Sequence, residues 1–129
     1  MNNQMFVFRK FYRALKNALR GIKEAFIEQS FRILFAIALI VIFCLFYFPF
    51  NQIERVILIL VVALVLSLEL INSQIERILD ILRPDYSEEV RKMKDISAGA
   101  VLVASIGGAV VGTIIIWPYL LILLERILS

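Results

Sequence analysis

Residues 56–80 read VILILVVALVLSLELINSQIERILD. Val56 to Leu68 carry no charge; then Glu69, Asn72, Glu76 and Asp80 arrive while the helical pattern continues unbroken. At 100° per residue these four stand at about 0°, −60°, −20° and +20°, so they share one face of a helix within about 80° of arc. An ionised carboxylate at bilayer depth costs about 2.5–3.5 kcal/mol on insertion scales, and aligned carboxylates also repel one another. A partner, a proton or a metal ion has to offset that cost. A helix that merely emerges into water after Asn72 accounts for Glu76 and Asp80 as surface charges. It does not account for Glu69 preceding Asn72, or for all four sharing a face. Aligned acids at an aqueous interface suit oxygen-ligand metal binding, and a partly desolvated Glu69 suits the acceptance of a proton.

The rest of the chain agrees with a membrane setting. Its 129 residues are 61% hydrophobic, with a mean hydropathy of +0.88. A soluble domain of this length cannot hide that much apolar surface, so the reading is one all-α, integral-membrane domain over 1–129. Three stretches are long enough to span: about 31–50, 53–82 and 96–124. The link NQIER allows only a tight hairpin between the first two, whereas RPDYSEEVRKMKD is a longer, charged connector. Asp95 stands where an N-cap of the third span would stand. The absence of histidine excludes histidine-based catalysis and the common zinc sites. Cys44, the single cysteine, lies mid-span and reads as packing or lipid-facing filler. GGAVVGT has no lysine and falls inside a span, so it is not a phosphate-binding loop.

No small-residue cleavage site follows a short apolar region near the N-terminus, so no cleavable signal peptide is expected. Residues 5–29 predict an amphipathic interfacial helix. Arg9, Arg13, Lys16, Arg20 and Lys23 make a basic stripe, and Phe8, Phe11, Leu15, Leu19, Ile22 and Phe26 supply the apolar side. Basic residues crowd this segment and the connector (Arg83, Arg91, Lys92, Lys94), whereas the hairpin has only Arg55 and the C-terminus Arg126. The positive-inside rule then puts the N-terminus and the connector in the cytoplasm and the C-terminus outside. Phe46, Tyr47, Phe48, Trp117 and Tyr119 fall at the outer interface on this orientation. The small-residue ridge Ala104, Gly108 and Gly112 favours close helix packing.

ELINSQIE at 69–76, followed by KDISAGAVL at 94–102, resembles the small bacterial diacylglycerol kinase family, which includes the undecaprenol kinases. Glu28 shortly before Phe31 and Arg32, and three spans after an amphipathic helix, extend the resemblance over nearly the whole chain. It departs at Gln74, where the family usually has alanine, and in a 21–28 segment one residue short. The resemblance implies phosphoryl transfer from ATP to a lipid alcohol in the bacterial inner membrane, with Mg²⁺ as cofactor. It implies Glu69 as general base, and Glu28 and Glu76 as holders of Mg²⁺ on the nucleotide. Lys94 would neutralise phosphate charge and Asn72 would hydrogen-bond phosphate or Glu69. Asp80 and Asp95 would orient Lys94 or nucleotide groups, and Arg9 and Ser73 would touch the lipid. The partners implied are ATP, the lipid, the bilayer and further copies in a homotrimer; no nucleic acid is expected. Three spans make a bundle too thin to shield a catalytic carboxylate alone, which fits sites shared between protomers. The segment ISAGAVLVASIGGAVVG before WPYL looks more like the undecaprenol branch than the diacylglycerol branch. The alternative reading is a proton-coupled transporter subunit using Glu69, or a membrane scaffold. Neither needs an acidic stripe at the membrane edge or a lysine to meet phosphate.

Overall fold

The computed structural model describes residues 3–85 and 87–129, with side chains from Met5 onward. Its helices are α1 (Asn3–Ala25), α2 (Gln29–Tyr47), α3 (Gln52–Leu82) and α4 (Glu88–Leu128). The chain is all-helical, and α2, α3 and α4 are each long and apolar enough to cross a membrane. α3 is central: it packs against α4 and α2 along its length and is met by α1.

Local chemistry sets each boundary. α1 stops at Ala25, earlier than the expected 29. Residues 26–28 tighten into a turn in which Ile27 N donates to Glu24 O at 3.2 Å and Glu28 N to Ala25 O at 3.0 Å. Aromatic packing holds that turn: the Phe26 ring meets Phe31 edge-on at 5.1 Å and Phe35 at 4.8 Å. α2 begins at Gln29 and ends at Tyr47, because Phe48 precedes Pro49 and takes an extended conformation. Asn51 and Glu54 then open α3 with a reciprocal capping box.

α4 begins at Glu88, two turns ahead of the apolar stretch expected to open it. Ser87 caps it by accepting from Val90 N at 3.2 Å. Asp95 is therefore not the N-cap of the third span; it lies inside the helix, and RKMKD is helical and not connector. At 1.5 Å per residue, the 31 residues of α3 and the 41 of α4 reach about 46 and about 62 Å. Both exceed the about 30 Å hydrocarbon core, so both carry polar ends into the aqueous layer.

At one end Leu45, Phe48, Phe50 and Leu58 form a small core against Ile115 and Tyr119. There the Tyr119 hydroxyl donates to Glu54 Oε2 at 2.7 Å, tying α4 to the α2–α3 hairpin. At the other end Ala25, Phe31 and Val90 are buried. Between them, only one glycine of the small-residue ridge is pressed against another helix. A Cβ on Gly108 would come within 2.9 Å of Val61 Cγ1, whereas one on Gly112 meets nothing within 4 Å. Val90 is the only buried residue of α4: one face of its apolar stretch packs on α3 and the α2–α3 hairpin, and the other faces outward.

Candidate active site

The polar stripe runs from burial to exposure along α3. Glu69 is 2% exposed, Asn72 7% and Ser73 5%; Glu76 is half-buried and Asp80 lies open. A single chain thus shields Glu69, contrary to the expectation that three spans are too thin. The reason is the first turn of α2, which lies over it: the Ser30 hydroxyl donates to Glu69 Oε1. Ser30 is held there by its neighbour Phe31, itself 2% exposed and packed among Phe26 and Phe35.

One turn further, Asn72 Nδ2 donates to Glu76 Oε1 at 3.1 Å. Asn72 therefore turns towards Glu76, not towards Glu69. Its Oδ1 is buried and has no hydrogen-bond partner among the described residues. A buried acceptor left unpaired costs about 1–3 kcal/mol, so this oxygen favours any donor or cation that reaches it. Glu28, the N-cap residue of α2, makes no capping bond with its side chain. It accepts instead from Arg77 Nη2 at 3.3 Å, which draws it to the residue next to Glu76.

Beyond the stripe, Lys94 Nζ pairs with Asp80 Oδ1 at 2.5 Å, joining the end of α3 to the start of α4. Asp95 pairs with Arg91 at 2.7 Å, and Arg91 also holds Glu88 at 2.5 Å. Arg9 stands exposed on α1, with no ion pair among the described residues. Glu69, Asn72, Ser73, Glu76, Asp80, Lys94 and, through Arg77, Glu28 are thus gathered at one end of the bundle. Arg9 is not joined to them by any contact.

The donor set suits a hard cation. Glu28, Glu76 and Asn72 Oδ1 offer only oxygen. No group of three or more His, Cys, Asp or Glu side chains forms a cage among the described residues. Mg²⁺ does not need such a cage: it keeps several waters and is bound through one or two carboxylates plus substrate phosphates.

The sequence profile of the family described as prokaryotic diacylglycerol kinase matches residues 16–116. The chain belongs to that family. The stripe from Glu69 to Asp80, with Glu28, Ser30 and Lys94, lies wholly within the matched span. The undecaprenol kinase of Bacillus subtilis is 33% identical over 112 residues, covering 86% of this chain and 91% of the relative. The diacylglycerol kinase of Escherichia coli K12 is 30% identical over 120 residues, covering 92% and 98%. A diacylglycerol kinase of Helicobacter pylori is 34% identical over 117 residues, covering 90% and 88%. The prokaryotic diacylglycerol kinase family is one of lipid kinases, so the transporter and scaffold readings fall away.

Two site residues escaped the sequence reading. Ser30 and Arg77 meet partners 39 and 49 positions away, and no local spacing reports such a pairing. The one available signal was charge: Glu28 needs a cation at a membrane edge, and Arg77 is the only basic residue of α3 beyond Arg55 until the helix ends.

Proposed function

We propose that this protein phosphorylates a membrane lipid alcohol with ATP at the cytoplasmic face of the bacterial inner membrane. The products are the lipid phosphate and ADP. The observation that carries this reading is the placement of one buried carboxylate, Glu69, at the membrane end of a polar stripe whose aqueous end holds Lys94. A lipid hydroxyl reaches the first from within the bilayer, and a nucleotide reaches the second from water.

In this reading Glu69 accepts the proton of the lipid hydroxyl as its oxygen attacks the γ-phosphorus in line, and ADP leaves. Lys94 exchanges Asp80 for phosphate oxygens and neutralises charge as it builds there. Glu28 and Glu76 would hold the Mg²⁺ that accompanies the nucleotide, and Asn72 Oδ1 offers a buried acceptor beside them. When bound there, Mg²⁺ would supply charge neutralisation and polarisation of the phosphoryl group. Asp95, next to Lys94 and paired with Arg91 one turn earlier on the same helix, orients nucleotide groups, and Ser73 borders the lipid hydroxyl.

The residues around the site support the setting. The basic stripe of α1, Arg9 included, suits a helix lying on an anionic inner leaflet beside the incoming lipid. The excess of basic residues in α1 and around Lys94 supports a cytoplasmic N-terminus. The outward apolar face of α4 suits packing with further copies in a homotrimer. Relatives named for undecaprenol and for diacylglycerol are about equally similar to this chain, and the Ile96–Gly112 segment favours undecaprenol.

The experiment is a side-by-side assay of purified protein with ATP, Mg²⁺ and each alcohol in mixed micelles. ADP release that depends on added lipid alcohol, with undecaprenol the better acceptor, is the expected result. ATP turnover indifferent to both alcohols contradicts the reading.

A further inference from the structure

We propose that Ser30 is the positioning residue of the catalytic carboxylate: its hydroxyl orients Glu69 for proton acceptance. The inference rests on the reading of Glu69 as the base. Ser30 Oγ donates to Glu69 Oε1, and it is the only hydrogen-bond donor to that carboxylate among the described residues. Glu69 is 2% exposed, so water does not replace the bond freely. A glutamate side chain turns about three bonds, and a single fixed donor on one oxygen removes most of that freedom. The other oxygen, Oε2, is left for the substrate hydroxyl.

The donor is itself firmly held. On one side of Ser30, Glu28 is tied to Arg77 of α3 at 3.3 Å. On the other, Phe31 is buried against Phe26 at 5.1 Å. The charge pair therefore pins the start of α2 to α3, the aromatic contact pins it to the turn after α1, and Ser30 lies between the two. Its hydroxyl is not needed to close either contact. The hydroxyl is also not a cap, since α2 takes Glu28 as its N-cap residue. What the hydroxyl alone contributes is the direction of the Glu69 carboxylate. Misplacing a reacting group by about 1 Å costs up to about a hundredfold in rate.

The test compares Ser30→Ala, Ser30→Thr, Glu69→Gln and the Ser30→Ala/Glu69→Gln pair in the full-length protein. The readouts are kcat, KM for ATP and the size-exclusion profile in detergent. Ser30→Ala is expected to lower kcat by about ten- to a hundredfold, with KM for ATP and the elution profile unchanged. Ser30→Thr keeps the hydroxyl and restores most of kcat. With the base gone, adding Ser30→Ala to Glu69→Gln slows turnover no further, the signature of two residues acting as one unit. Ser30→Ala with wild-type kcat overturns the proposal. So does an equal fold-loss in the Glu69→Gln background, which assigns the loss to the fold. If Glu69→Gln alone turns over normally, the base assignment itself fails, and that single variant reports it independently of Ser30.

Discussion

Lys94, near the start of α4, and Asp80, in the last turn of α3, form an ion pair 2.5 Å long across the connector that joins the helices. Their side chains are 34% and 63% exposed, and a pair so open to water adds at most about 1 kcal/mol to stability. The lysine is thus held in place without being locked. Asp80→Asn is expected to leave the unfolding temperature almost unchanged. Lys94→Ala is expected to lower kcat/KM for ATP by about 10²–10³-fold, the usual loss for one donor to transition-state charge. Thermal unfolding of Asp80→Asn and steady-state kinetics of Lys94→Ala check these; a large drop in unfolding temperature in the first, or near-normal kcat/KM in the second, contradicts them.

The carboxylates of Glu28 and Glu76 are expected to set the Mg²⁺ requirement. Glu76→Gln keeps its shape and can still accept from Asn72 Nδ2. It removes one hard anionic ligand, so half-maximal activity moves to Mg²⁺ at least about tenfold higher, as losses around metal ligands do. Glu28→Gln does the same while also weakening the link to Arg77. Superimposable Mg²⁺ titrations for wild type and both variants count against metal binding by this pair.

Helix packing gives a prediction independent of chemistry. Gly108 faces Val61 at a distance that admits no Cβ, and the branched valine is stiff about its first torsion. Gly108→Leu overpacks the α3–α4 contact and is expected to cost about 1–3 kcal/mol. Gly112→Ala enters open space and gains up to about 1 kcal/mol of helix propensity. Thermal unfolding in detergent should rank Gly108→Leu below wild type and Gly112→Ala at or above it. The reverse order contradicts the packing described.

The connector tests orientation. Asp85 lies in the connector ahead of Ser87, the cap of α4, so a label there leaves the start of the helix intact. In a Cys44→Ala background, Asp85→Cys is expected to resist a membrane-impermeant maleimide in intact cells and to react after permeabilisation. Efficient labelling from outside would remove the site from cytoplasmic ATP.

The stripe of Glu69, Asn72, Glu76 and Asp80 was legible because helical periodicity alone puts the four on one face. The spans were legible because hydropathy reports them directly. What the sequence hid was of two kinds. The start of α4 was hidden because hydropathy ignores polar helical turns, although Ser87 ahead of Glu88 and Glu89 is a readable N-terminal signature. The burial of Glu69 was hidden because it depends on Ser30 and Phe31, brought in from another helix by an aromatic turn at 26–28. That turn has no glycine or proline to announce it. The orientation of Asn72 towards Glu76 was open for a related reason: periodicity fixes a face but not which neighbour a side chain chooses.

The proposed phosphoryl transfer depends on Glu69 acting as the base. Glu69→Gln preserves shape and can still accept from Ser30, but it cannot take the proton of the lipid hydroxyl. General base catalysis is worth about 10²–10⁴-fold. Single-turnover rates with saturating lipid alcohol and Mg²⁺-ATP measure that step directly, with nucleotide binding and elution profile followed on the same sample. The predicted result is a rate lower by about 10²–10⁴-fold in a protein that binds nucleotide and assembles as wild type does. A rate within a few-fold of wild type, or a loss that tracks failed assembly, contradicts the account.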